Sequence, residues 1–127
     1  EDPYELVSLA ITTRTGEPAQ AEVTVRNGFG ERTGAAEGDG PVDAAFTAIT
    51  RLLEVPVTLA EYTIGAVTGG ADALGEVRVV VEADGRTFAG QAVSTDITEA
   101  SAEAYLRACA HAKLAIEADQ DKELIEV

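Results

Sequence analysis

Reactive side chains are scarce in this chain of 127 residues: one histidine, one cysteine, and serine only at Ser8, Ser94 and Ser101. A lone histidine leaves no imidazole pair for a metal centre, and a lone cysteine allows neither an internal disulfide nor a zinc-binding pair. His111, inside a helical pattern near Lys113, reads as a partly exposed surface residue, and Cys109 as a small core residue. Glu37, Asp39 and Asp43 lack the spacing of a calcium-binding EF-hand loop. Basic residues are also few, nine against 23 acidic ones, and the resulting formal charge of -14 repels nucleic acid phosphates and anionic lipid. No apolar run approaches the roughly 20 residues of a membrane helix, and Glu1-Asp2-Pro3-Tyr4 is unlike a signal peptide. These shortages argue against catalysis by this chain alone. They lead to the expectation of a soluble, cytoplasmic protein with no cofactor and no nucleic acid or membrane partner.

What is present is a core and one conspicuous turn. Hydrophobic residues make up 46% of the sequence, enough for a single domain over residues 1–127. Gly38-Asp39-Gly40-Pro41 delivers the chain into a helix, with glycines that free the backbone and a proline suited to the first helical position. Val42, Ala45, Phe46, Ile49, Leu52 and Leu53 then recur at the spacing of one buried helical face. Unpaired N–H groups at such a mouth favour a carboxylate. The plainer alternative is a tight loop capped by Asp39. The turn lacks the lysine and serine of a phosphate-binding P-loop.

The chain in order reads as two β-β-β-α units. In the first, residues 4–58, strands are expected over residues 4–12, around the alternating Ala21, Val23 and Val25, and over Glu31–Glu37 after the Asn27-Gly28-Phe29-Gly30 turn. The helix ends at Val55-Pro56. The second unit, residues 59–118, repeats the order: Tyr62-Thr63-Ile64 matches Tyr4-Glu5-Leu6, Gly75-Glu76-Val77 matches Ala21-Glu22-Val23, and Gly90 to Asp96 takes the place of Gly34 to Gly40. A helix from Ile97 to about Glu117 follows, with Asp96 and Glu99 spaced as a capping box. Its small residues Ala100, Ala104, Ala108, Ala112 and Ala115 pack either on the unit's own sheet or against a symmetry mate. Residues 119–127 read as a frayed polar tail. The fold class is α+β, antiparallel sheets packed on helices.

Four ordered blocks carry a family resemblance: Gly38-Asp39-Gly40-Pro41-Val42-Asp43-Ala44; Tyr62 through Ala66-Val67-Thr68; Asp72-Ala73 with Gly75-Glu76-Val77; and Ser94-Thr95-Asp96-Ile97 with Glu99-Ala100-Ser101-Ala102 and Ala104-Tyr105-Leu106. Over residues 4–116 the chain resembles the C-terminal regulatory domain of 2-isopropylmalate synthase, the first committed enzyme of leucine biosynthesis. The regulatory domain of (R)-citramalate synthase, which answers to isoleucine, is a close relative. The resemblance implies two β-β-β-α units about a pseudo-twofold axis, a homodimer, and allosteric inhibition by leucine of a catalytic barrel, in cis or in trans, that this chain lacks. It places effector contacts at Gly38, Asp39, Gly40, Val42 and Tyr62, with Asp96 and Ile97 as their mirror in the second unit. A free branched-chain amino acid suits such a site. Backbone donors from Gly38 to Val42 would take its carboxylate, Asp39 or a nearby carbonyl its ammonium, and Val42, Tyr62 and Ile64 its side chain. Tyr62 reads equally as a core aromatic at a strand start.

Overall fold

The structure, a computed structural model, describes residues 2–66 and 74–125, with side chains described through Lys122. Val67, Thr68, Asp72 and Ala73 of the resemblance blocks lie outside the described residues. Strands β1 (Glu5–Thr12), β2 (Ala19–Asn27) and β3 (Gly30–Gly38) form an antiparallel sheet in that order, followed by helix α1 (Pro41–Leu53). Strands β4 (Thr58–Ala66), β5 (Gly75–Ala83) and β6 (Arg86–Ser94) form a second sheet of the same topology, followed by helix α2 (Ile97–Ile125). The fold is therefore α+β with two β-β-β-α units, as the sequence pattern requires.

Alternation decides which face of each sheet is buried. Ala19, Ala21, Val23 and Val25 of β2, and Val77, Val79, Val81 and Ala83 of β5, all turn inward beneath the helices. One hydrophobic cluster runs through both units, joining Val23, Phe46, Ile49, Val79, Tyr105 and Leu106. The helices lie side by side in the same sense, for their contacts advance together: Phe46 stacks on Tyr105, Thr50 bonds the Tyr105 hydroxyl, and Lys113 Nζ donates to the Leu53 carbonyl at 2.9 Å. That lysine supplies positive charge and a donor where α1 leaves carbonyls unpaired. Both N-termini consequently open at one end of the molecule.

The register corrects the internal alignment. Leu9 lies opposite Val23 and Tyr62 opposite Val79, while Ala19 pairs with Gly38 and Gly75 with Ser94. The counterpart of Tyr62 is thus Leu9 rather than Tyr4, and that of Gly75 is Ala19 rather than Ala21. Matching bulges after Leu6 and Leu59 confirm the correspondence. Sequence similarity in β1 and β4 is too faint to fix a register that β-sheet pairing fixes strictly. In the β2–β3 hairpin the connecting pair is Gly28-Phe29, and Asn27 Oδ1 accepts the Phe29 N–H at 2.8 Å.

Gly34 and Gly90 hold the same position in the two units. A side chain at Gly34 would meet Leu52 Cδ1 at 2.9 Å, and one at Gly90 would meet the Ala104 carbonyl and the Ala108 nitrogen. These glycines let helix and sheet backbones touch. The small-residue stripe of α2 meets the same need: Ala100, Ala104, Ala108 and Ala112 are fully buried within the single chain, leaving none of them for a symmetry mate. Helix α2 continues to Ile125, past the expected end near Glu117. Residues 117–125 contain neither glycine nor proline, and Arg86 of β6 holds Asp119 at 2.7 Å, so nothing in the sequence stops the helix where burial ends.

Candidate functional site

The two helix mouths have the same position and opposite chemistry. At α2, Asp96 Oδ1 accepts the N–H groups of Thr98 and Glu99 at 2.9 and 3.2 Å, and Ser94 Oγ accepts the Asp96 N–H at 3.0 Å. The expected aspartate cap is present, with Ser94 in the part assigned to Glu99 by the capping-box pattern. At α1 the N-cap is Gly40, Pro41 follows at the first helical position, and no side-chain hydrogen bond caps the helix. Asp39 is not the cap. Instead the Asp43 carboxylate reaches back to accept the Asp39 N–H at 3.1 Å and fastens the turn. The first mouth therefore keeps amide donors that the second has spent on its own side chain.

The two glycines of that turn do different work. A side chain at Gly38 would meet the Ala44 nitrogen at 2.5 Å and Asp43 Oδ2 at 2.6 Å, so bare backbone is required there. Gly40 is extended, at φ -147° and ψ 175°, with nothing within 4 Å of an added Cβ. Its backbone needs no glycine, contrary to the sequence reading, and what its small size preserves is open space in front of the helix.

Between the helices stands Tyr62. Its hydroxyl bonds Ser101 Oγ of α2 at 2.7 Å, and its ring meets Phe46 of α1 edge-on at 5.7 Å between centroids. Phe46 in turn stacks on Tyr105 at 4.0 Å. Val42 is one turn ahead of Phe46 and packs on the same cluster. Ile64 is the next inward position of β4, paired with Val77, and Ile97 Cδ1 lies against the neighbouring Gly75. The structure joins Val42 and Tyr62 through Phe46, with Gly38, Asp39 and Gly40 at the α1 mouth, while Ile64 pairs with Val77 on the exposed β4 and Ile97 and Asp96 stand at the start of α2. Asp96 is committed as a cap. Phe46 and Ser101, absent from the site expected from sequence, prove to be the side chains that hold Tyr62. Helical spacing had assigned Phe46 to the core, and nothing local marks a serine as the partner of a tyrosine 39 positions earlier.

Cover over the two first strands is unequal. Both helices approach β1, whereas among the described residues no helix backbone comes equally close to β4. Leu59 and Ile64, which face inward, stay 44% and 52% exposed, while their counterparts Leu6 and Ile11 are half-buried. Apolar surface is thus left open along β4.

The remaining titratable groups describe a packed interior. Burial pushes the Cys109 thiol up to about 12, against a hydrogen bond from Tyr105 that lowers it, and burial raises the Tyr105 phenol. Glu103 is raised by partial burial, offset by the nearby Arg107 guanidinium. His111 is exposed, with Nδ1 at 3.1 Å from the Ala89 carbonyl. Among the described residues no three His, Cys, Asp or Glu side chains gather as a metal site, and no helix is long and apolar enough to cross a membrane.

Comparison with known proteins decides the family. The model of the LeuA allosteric (dimerisation) domain matches residues 1–113. The chain belongs to that family. Among its relatives, the 2-isopropylmalate synthase of Gloeobacter violaceus is 53% identical over 111 residues, covering 84% of this chain and 20% of that enzyme. The 2-isopropylmalate synthase of Nitrosomonas europaea is 43% identical over 109 residues, covering 86% and 21%. That of Sediminispirochaeta smaragdinae is 52% identical over 88 residues, covering 69% and 17%. The chain spans about a fifth of the length of the curated relatives it matches.

Proposed function

We propose that this domain is an amino-acid sensor that binds leucine at the mouth of α1, pairs with a second copy of itself, and passes feedback inhibition to a 2-isopropylmalate synthase catalytic part. The observation that carries the reading is the contrast between the two mouths. Asp96 occupies its own helix end with a carboxylate, and the corresponding place at α1, in front of Gly40, is left for a carboxylate from outside. Backbone amides at Val42 and Asp43 would bind that group with help from the helix dipole. The exposed inward side of β4 at Ile64, together with Tyr62 and Val42, supplies the apolar wall a branched side chain needs. An ammonium beside it would be held by Asp39 or a free carbonyl.

Leucine is favoured over isoleucine because the relatives above carry the name 2-isopropylmalate synthase. Calorimetric titration of the chain with leucine, isoleucine and valine tests the assignment. Leucine should bind most tightly. A stronger response to isoleucine would replace the effector while keeping the sensor, and no binding of any of the three would leave a domain that only dimerises. Regulation further requires that leucine bind the two states of the assembly with different free energies. In a full-length enzyme carrying this domain, leucine should therefore inhibit the wild type and not a variant blocked at the α1 mouth.

A further inference from the structure

Apart from the Tyr105 phenol and the Cys109 thiol, Ser101 is the one buried polar side chain among the described residues, and it is fully enclosed. Its hydroxyl bonds that of Tyr62 at 2.7 Å. The repeat shows that the fold does not need this pair: the corresponding places in the first unit hold Ala45 and Leu9, and Ala45 is buried as deeply. Burying a hydroxyl where a methyl would fit gains nothing in packing and demands a partner. A reason for it must therefore lie in what the bond holds. It fixes the tyrosine ring edge-on to Phe46, joining β4 and α2 to α1.

We propose that Ser101 is a positioning residue for effector selectivity, which locks the Tyr62 ring so that the pocket wall has one shape. The idea rests on the effector reading above. A ring anchored at both its strand and its hydroxyl is pre-organised, and it discriminates between side chains branched at different carbons. A ring released from Ser101 can turn to suit either, at the cost of being ordered on binding. Tyr62 is only half-buried, so its freed hydroxyl finds water. The loss then falls on the ligand rather than on the fold.

The test is a double-mutant cycle on the chain, read by calorimetric titration with leucine, isoleucine and valine. Ser101→Ala should fold with a circular dichroism spectrum like the parent's, bind leucine roughly three- to tenfold more weakly, the scale of one hydrogen bond, and discriminate less among the three amino acids. Tyr62→Phe should do the same. Adding Ser101→Ala to Tyr62→Phe should change affinity less than about twofold, since no hydroxyl pair remains to be broken. Unaltered leucine affinity and ranking in Ser101→Ala would overturn the positioning role while leaving the sensor intact, as would fully additive losses. Failure of the unmodified chain to bind any of the three would overturn the effector reading itself, and this role with it. Ser101→Thr, which keeps the hydroxyl, should retain the parent's ranking if it folds. A variant that fails to fold is replaced by Tyr62→Phe alone, whose unchanged ranking would also overturn the proposal.

Discussion

Gly38 and Gly40 look alike in the sequence and differ in what a methyl group would meet. At Gly38 it would strike the Ala44 nitrogen and the Asp43 carboxylate, so Gly38→Ala should cost about 1–3 kcal/mol and lower the melting temperature by several degrees. At Gly40 it would meet open space on extended backbone. Gly40→Ala should change stability by less than about 1 kcal/mol and weaken leucine binding at least tenfold, about 1.4 kcal/mol. Equal leucine affinity in a folded Gly40→Ala would mean that the effector does not touch this turn. Asp43, although exposed, is part of the same turn, because its carboxylate holds the Asp39 N–H. Cys109 gives a pH prediction. Its pKa rises from 9.0 to about 12 on folding, so between those values the folded chain binds more protons than the unfolded one. The thiol's contribution is fully present below pH 9 and is lost as pH rises toward 12. Urea midpoints measured at pH 8 and above 9 should fall with pH in the parent, and less steeply in Cys109→Ala.

At the scale of elements, the uncapped α1 and self-capped α2 make a matched pair. Asp96→Ala removes acceptors from two amides and should cost about 1 kcal/mol of stability. Gly40→Asn should do the reverse, placing a cap where α1 has none and stabilising the unliganded chain by roughly 0.5 kcal/mol. The same side chain would occupy the place proposed for the effector carboxylate, so leucine should no longer raise the melting temperature. A Gly40→Asn chain that is no more stable than the parent, or that still responds fully to leucine, would contradict the picture of an open mouth. The element boundaries followed local chemistry. Alternation gave β2, the internal repeat gave β5, Pro41 gave the start of α1, and Pro56 its end. The end of α2 did not follow, because composition changed from apolar to charged without any residue that breaks a helix.

For the whole molecule, the prediction is a dimer that responds to its effector. The alanine stripe no longer argues for one, since it is buried against its own sheet; the family of dimerisation domains does, and so does the exposed apolar side of β4. Light scattering in the micromolar range should return twice the 13.2 kDa chain mass, and a persistent monomer would contradict it. Leucine at about 100 times its dissociation constant should add about 2.7 kcal/mol, worth several degrees in melting temperature. The formal charge of -14 is self-repelling, so added salt should stabilise the chain as screening shortens the range of that repulsion.

The sequence by itself determined the α+β class, the two-unit order, the family blocks and the shortage of reactive groups. The first three rest on periodicity, on residues with restricted backbones, or on ordered motifs, each acting over a few neighbours, and the shortage on composition alone. The tertiary structure decided which positions correspond between the units, that Asp43 rather than Asp39 fastens the turn, that Gly38 rather than Gly40 is forced to be glycine, and that Ser101 holds Tyr62. These outcomes depend on strand register and on contacts between residues far apart in the chain. A one-residue slip in β4 would turn Tyr62 to the other face of its sheet, and no local pattern around Tyr62 records the pairing with Val79 that prevents it.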